Sequence, residues 1–273
     1  MRALDVLDAG PEHAEAIVDI IHRSFSVRPD LDPPSTALDE TVESVSEVLA
    51  TAGGLLVERR GVPMGALLFD ESRPGKLGLR RVSVDPEIQA RGVASAMVGV
   101  AEDTAEERGK DGIWLHVREE LPDTVRFWTR RKYHPVGQEG PLLVLGKTLW
   151  LAREVPTPDA MQHLAARVAE LVRPGDLLVL SGDLGAGKTT FTQGLGDALH
   201  VRGPVTSPTF VLARTLNDSW LSVSIEVRGA RPIDPLGTEH DGDHPDEAEP
   251  RVVTIKPNGP RWVDVPLRST LLG

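Results

Sequence analysis

In the first half of the chain, apolar residues come in short runs cut by glycine, proline and charge. LLVERR (55–60), VPMGALLFD (62–70) and LGLRRVSV (77–84) predict consecutive antiparallel strands. The period then changes: in VASAMVGVAEDTAEERG, Val93, Ala94, Met97, Val98 and Ala101 share one face at helical spacing, and Gly109 supplies a stop. This predicts a helix over 94–107. IWLHVRE (113–119) predicts a further strand, PDTVRFWTRRK (122–132) a helix with proline in its first turn, and LLVLGKTL (142–149) a closing strand.

The second half starts afresh. Around TLWLAREVPTP a strand-like end runs into a helix start, which places a linker at 150–156 between a domain over 1–149 and another over 157–273. Thr157 and Pro158 form a cap and first-turn pair, and Met161, Leu164, Ala165, Val168 and Leu171 make an apolar stripe. Arg173-Pro174-Gly175 ends that helix. DLLVLSG then predicts a buried strand, and KTTFTQGLGDAL a helix with Phe191, Leu195 and Leu199 four apart. WLSVSIEVRG and RVVTIKP are later strand candidates. Between them lies an acidic segment, 234–250, without lysine or arginine, whose composition suits a solvated, flexible loop. The spacing His240-x-x-x-His244 within it also fits a metal site, although His and Asp accumulate in such loops without any metal.

Composition narrows the function classes. The chain has 273 residues, no cysteine and a net charge of -11. Disulfides and thiolate metal sites are therefore excluded, and broad electrostatic attachment to nucleic acid is disfavoured, since that depends on many cations meeting phosphates. No apolar run approaches the roughly 18–20 residues that span a bilayer. No basic and apolar leader opens the sequence, so a cytoplasmic protein is expected.

Two loops carry candidate chemistry. Gln89-Ala90-Arg91-Gly92-Val93-Ala94 stands between a strand and a helix; small residues at 92 and 94 let main-chain N–H groups approach an anion, and the helix dipole adds favourable potential. A plain tight turn fits the same six residues. The segment resembles the signature of the GNAT family of acetyltransferases, matched by Gln89, Gly92 and Ala94, and the order of strands and helices over about 1–149 resembles that family too. The resemblance implies a mixed, mostly antiparallel sheet with flanking helices and direct transfer of an acetyl group from acetyl-CoA to an amine. It implies that Val82 and Val84 present strand edge groups to the pantetheine arm and that Gln89, Ala90, Arg91, Gly92, Val93 and Ala94 hold the pyrophosphate. The sequence departs from the family at Phe127-Trp128, where many members carry a tyrosine that protonates the departing thiolate; Tyr133, the only tyrosine, reads as a packing residue. No catalytic residue is assigned, because Glu102, Glu106, Glu107 and Glu119 read more simply as solvated charge.

The second loop is Gly182-Asp183-Leu184-Gly185-Ala186-Gly187-Lys188-Thr189, followed by Thr190. It fits G-x-x-x-x-G-K-T between an apolar strand and a helix. Backbone amides can wrap phosphates there, Lys188 can reach the outer ones, and the Thr189 hydroxyl can ligate magnesium. With VTSPTFVLART (205–215), the region resembles the TsaE family, the ATPase subunit of the bacterial machinery that makes threonylcarbamoyladenosine on tRNA. The resemblance implies a P-loop α/β domain that binds ATP and Mg²⁺, Ser207, Thr209 and Phe210 in a switch against the nucleotide, and partner subunits through which tRNA is met indirectly. The family's later His-x-Asp-x-Tyr-Arg and Glu-Trp-Gly segments have no counterpart here, so the middle of the domain is expected to be missing. Asp234 and Asp264 are weak substitutes for its magnesium-binding aspartate. Three readings stay open: an acetyltransferase fused to an ATP-binding subunit of tRNA modification, an acetyltransferase with a non-hydrolysing docking module, and two ligand-binding halves used for regulation.

Overall fold

The alternation in the first half builds a seven-stranded sheet. The computed structural model describes residues 4–88, 92–202, 219–228 and 250–272. The chain divides into two compact units, Met1–Leu149 and Trp150–Gly273. The first unit contains β1 (Asp5–Ala9), β2 (Gly54–Arg59), β3 (Val62–Asp70), β4 (Lys76–Val84), β5 (Gly112–Arg118), β6 (His134–Glu139) and β7 (Leu142–Thr148). They lie in the order β1-β2-β3-β4-β5-β7-β6. Every pairing is antiparallel except β4 with β5.

Both faces of this sheet are covered: β2 and β3 carry continuous buried runs, whose successive side chains point to opposite faces. Leu55, Val57, Leu67 and Phe69 pack with Val93, Met97, Val98 and Ala101 of α3 (Val93–Glu107). Their neighbours Leu56, Ala66 and Leu68 face the other way, against Ile17, Ile20 and Ile21 of α1 (Ala14–Ser26) and Val45 and Leu49 of α2 (Val42–Thr51). Thr41 caps α2, its side chain accepting from the Ser44 amide. Helix α4 (Pro122–Thr129) stops three residues before the expected end. Lys132 takes a left-handed φ of 67° and turns Tyr133 into the core against Trp128, which a continued helix could not do.

The second unit holds β8 (Leu151–Val155), α5 (Pro158–Ala169), β9 (Leu177–Ser181), α6 (Lys188–Ala198), β10 (Trp220–Val227), β11 (Arg251–Asn258) and α7 (Leu267–Leu272). Its four strands run β8-β11-β10-β9, with β9 and β10 parallel and the rest antiparallel. Three expectations are corrected here. The stretch 150–156 is not a linker: Leu151 and Val155 are buried on one face and the backbone pairs with β11. The strand DLLVLSG is not buried. Among the described residues it lies at the sheet edge, and Val179 is 44% exposed. Leu199, expected on the apolar face of α6, is likewise exposed just past the helix end. The core gathers Met161, Leu164 and Val168 of α5, Phe191 of α6 and Leu221, Val223 and Ile225 of β10.

Candidate functional site

The first site is made by two strands that part. Parallel pairing of β4 and β5 covers only Lys76–Gly112 to Leu79–Leu115, although both strands continue. A bulge drives the separation. Leu68 pairs with Arg80 and Ala66 with Ser83, so β4 carries one extra residue, and Arg81 sits there at a φ of 51°. Such a bulge bends its strand and interrupts its ladder. Beyond it, Val82 and Val84 have no pairing to β5 and line a cavity of about 780 Å³. The cavity also takes in Leu115 to Arg118 of β5, Phe127 and Trp128 of α4, Ala94 of α3 and Arg28 past the end of α1.

Asp85 anchors the turn that leads from β4 to α3. Its buried carboxylate receives Arg23 Nη1 at 2.9 Å and the Glu87 amide at 2.9 Å. Helix α3 then begins on Gly92, which takes a left-handed φ of 110° and has no side chain with which to cap the first amides. Val93 is buried in the core and Ala94 lines the cavity; Gln89, Ala90 and Arg91 lie outside the described residues. Phe127 stacks edge-on to Trp128, so this pair presents no hydroxyl to the cavity.

Charge around the cavity is organised by a few carboxylates. Glu40 accepts from Arg81 Nε at 2.8 Å and lies 3.8 Å from Arg80. Burial works to raise the Glu40 pKa, but hydrogen bonds from Ser44 and Arg81 and the charge of both arginines outweigh it and hold the group below its ordinary value. Arg118 pairs with Glu120 at 3.0 Å and donates to the carbonyls of Asp32 and Pro33, tying β5 to the segment after α1. His116 Nε2 is 2.9 Å from Glu139 Oε2, and Glu139 also meets Arg73. The hydrogen bond from His116 is the main reason the Glu139 carboxyl stays below its usual range. Arg28, His116 and Arg118 were missed in the sequence. The signal available was alternation: in IWLHVRE the polar positions 116 and 118 fall on the face opposite Leu115 and Val117.

Glu102 is corrected as well. It is not a solvated charge: its carboxylate accepts from the buried Tyr133 hydroxyl at 3.0 Å and from Lys147 at 2.6 Å. Burial, then the charge of Glu102 and the hydrogen bond to it, push the Tyr133 pKa well above its ordinary value. Tyr133 is thus a packed, hydrogen-bonded phenol.

The second site is the loop between β9 and α6. Gly182, at a φ of 145°, allows the loop to leave the strand against β10: a Cβ there would lie 2.3 Å from the Ile225 carbonyl oxygen. Gly185 and Gly187 also take left-handed φ values of 80° and 109°, and Gly187 starts α6 without a side-chain cap. Asp183 and Leu184 are exposed on the loop while Ala186 is buried beneath it. Lys188 Nζ donates to the carbonyls of Gly182 at 2.7 Å and Asp183 at 2.8 Å, so its ammonium folds back across the loop. Thr189 and Thr190 are half-buried in the first turn of α6. This cradle of glycines, with a cation drawn over it, fits a phosphate chain. Ser207, Thr209, Phe210 and Asp234 lie outside the described residues, and so does the segment 234–249, including His240 and His244. Asp264 is exposed in the turn after the short 3-10 segment Pro260–Trp262. Among the described residues no group of three or more His, Asp or Glu could hold a metal, and no helix is long and apolar enough to cross a membrane.

Residues 14–133 match the family model described as Acetyltransferase (GNAT) family, and residues 155–223 match that described as Threonylcarbamoyl adenosine biosynthesis protein TsaE. The chain joins a GNAT acetyltransferase domain to TsaE sequence. The TsaE stretch is 67% identical over 54 residues to the tRNA threonylcarbamoyladenosine biosynthesis protein TsaE of Streptomyces coelicolor, covering 20% of this chain and 36% of that protein. It is 45% identical over 64 residues to the protein of that name from Bacillus subtilis, covering 23% and 40%. The chain therefore spans little more than a third of the length of these curated relatives. Among solved structures, the PaiA N-acetyltransferase of Thermoplasma acidophilum in complex with coenzyme A is similar at 12% identity and a TM-score of 0.48, covering 54% of this chain and all of that one. The ribosomal-protein-S18-alanine N-acetyltransferase of Escherichia coli is similar at 13% identity and a TM-score of 0.44, covering 54% and 94%.

Proposed function

We propose that the GNAT domain transfers the acetyl group of acetyl-CoA to a primary amine, and that the TsaE part holds ATP with little hydrolysis. The observation that carries the first statement is the parting of β4 and β5 beyond Leu79 and Leu115 into a cavity just ahead of α3. In this reading the main chain at Val82 and Val84 meets the pantetheine arm, while Gln89 to Ala94 and the start of α3 hold the pyrophosphate. Acetyl-CoA supplies the acyl group as a thioester when bound.

Among the described residues the lining offers two titratable side chains besides arginines, His116 and Asp123, and Asp123 is exposed and paired with Arg126 at 3.1 Å. His116 is therefore our candidate proton acceptor. With Nε2–H donated to Glu139, Nδ1 is left to take the proton of the acceptor ammonium, and Glu139 stabilises the imidazolium formed. The freed amine nitrogen bonds to the acyl carbon as the carbon–sulfur bond breaks, and its surplus proton passes through water to the departing thiolate, since Phe127 and Trp128 have no acidic proton to give. Coenzyme A release from acetyl-CoA, measured with a panel of amines, tests this. An amine-dependent rate is expected, with His116→Gln lowering kcat by about 10²-fold or more and changing the acetyl-CoA dissociation constant by less than about twofold. Failure of acetyl-CoA to bind would remove the reading.

For the TsaE part, the glycine cradle and Lys188 support binding of the ATP phosphates, and Thr189 would hold magnesium through its hydroxyl. Hydrolysis also needs a second anchor for the metal and a positioned water. The absence from the sequence of the family's His-x-Asp-x-Tyr-Arg segment supports weak turnover. The TsaE match further supports a cytoplasmic role beside the other subunits that make threonylcarbamoyladenosine on tRNA, with tRNA reached through those partners.

A further inference from the structure

Among the described residues, four guanidinium groups line the cavity of the GNAT domain: Arg28, Arg80, Arg81 and Arg118. Glu40 serves Arg81 and Arg80, and Glu120 serves Arg118. Arg28 has no carboxylate partner among the described residues. Its guanidinium lies over the Phe25 ring, 3.6 Å from the centroid, and its nearest hydrogen-bond acceptor is the Val82 carbonyl at the outer limit of 3.5 Å. Stacking fixes the plane of the fork without using its donors, and the fork suits a bidentate carboxylate. A half-buried cation beside the charge of Arg81 is unfavourable until an anion arrives.

Position selects which anion. Arg28 follows α1, whereas α3, whose N-terminus faces the pyrophosphate in the reading above, packs on the opposite face of the sheet. Arg118 donates to the carbonyls of Asp32 and Pro33 and so draws the segment after Arg28 towards β5, next to His116. The cation thus stands on the side of the cleft from which an acceptor amine approaches. We propose that the acetyl acceptor is a small primary amine that also carries a carboxylate, and that Arg28 selects it by binding that carboxylate. The proposal rests on the acetyltransferase reading and narrows it to a substrate class.

The test uses the full chain and size-matched pairs of amines, each pair being an amino acid and its amide. Acetyl-CoA affinity, acetylation rates and the thermal shift caused by each amine in the presence of coenzyme A are measured for wild type, Arg28→Gln and Arg28→Lys. In wild type, carboxylates should exceed amides in kcat/KM by at least about tenfold, the scale of a charge-assisted hydrogen bond. Arg28→Gln should bring that ratio close to one through a higher KM for the carboxylate, and Arg28→Lys should keep part of it. Equal use of acids and amides by wild type overturns the proposal. So does bound acetyl-CoA with no amino acid either acetylated or stabilising the protein. Weaker acetyl-CoA binding in Arg28→Gln, restored to wild-type parity when dephospho-CoA derivatives are compared, would assign Arg28 to a cofactor phosphate and overturn it too. Absence of acetyl-CoA binding would overturn the parent reading, and the proposal with it.

Discussion

Helices α3 and α6 start on the same backbone device and stand in different surroundings. Each begins at a glycine in the left-handed region, with φ of 110° at Gly92 and 109° at Gly187, and neither has a side-chain cap. The strand that feeds α3 is interior: β4 has β3 on one side and β5 on the other, and the parting of β4 from β5 makes the cavity. The strand that feeds α6 is an edge: β9 pairs only with β10 among the described strands, and Val179 faces solvent. Holding an anion is a local property of a glycine turn and a helix start. Positioning a reaction takes groups from several elements, and the first site has them in Arg28, Val82, His116 and Phe127, which come from four separate parts of the chain.

The sharpest way to break this comparison is to damage one core and watch the other. Phe191 is fully buried between α6 and the rest of the second core. Phe191→Ala should cost about 3–5 kcal/mol, a large share of the stability of a unit this size. Calorimetry should show the loss of one thermal transition, with acetyl transfer retained below it. A single transition lost as a whole would contradict independent units. A finer comparison comes from the matched glycines. Gly92→Val and Gly187→Val each force a β-branched residue into a left-handed conformation, at a cost on the order of 1–3 kcal/mol. Titration calorimetry should find acetyl-CoA affinity lowered about tenfold or more only in the first variant, and ATP affinity only in the second.

The smallest effect concerns alkali. The folded pKa of Tyr133 lies above its unfolded value near 10, so its contribution is fully present below about pH 10 and is lost as pH rises through the folded value. No tyrosine lies in the second unit, so this loss belongs to the first alone. Phenolate absorbance should appear together with unfolding of the first unit. Tyr133→Phe should cost about 1 kcal/mol at neutral pH and flatten the alkaline decline.

Strong periodicity made much of both units readable. The stripe of α5, from Met161 to Val168, and the short apolar runs of β2 to β4 are buried as their patterns predict. Other elements gave little signal. In β6, HPVGQE alternates weakly and is mostly exposed, and β8 hides its two buried residues, Leu151 and Val155, around the polar Arg153-Glu154. DLLVLSG misled because an apolar run states that a strand is apolar and says nothing about whether the sheet continues beside it. The starts of α3 and α6, each at a glycine, were legible because their spacing is local. Arg28 and His116 were not, because the residues after α1 and those of β5 are distant in sequence and meet at one cavity only in the folded unit.

We propose that the second site grips phosphate without driving its transfer. Steady-state ATP hydrolysis by the full chain, measured with magnesium and alongside ATP binding, tests this most directly. ATP should bind, Lys188→Ala should weaken binding about tenfold or more, and neither protein should hydrolyse ATP above background. A robust magnesium-dependent rate, abolished by Lys188→Ala, would contradict it.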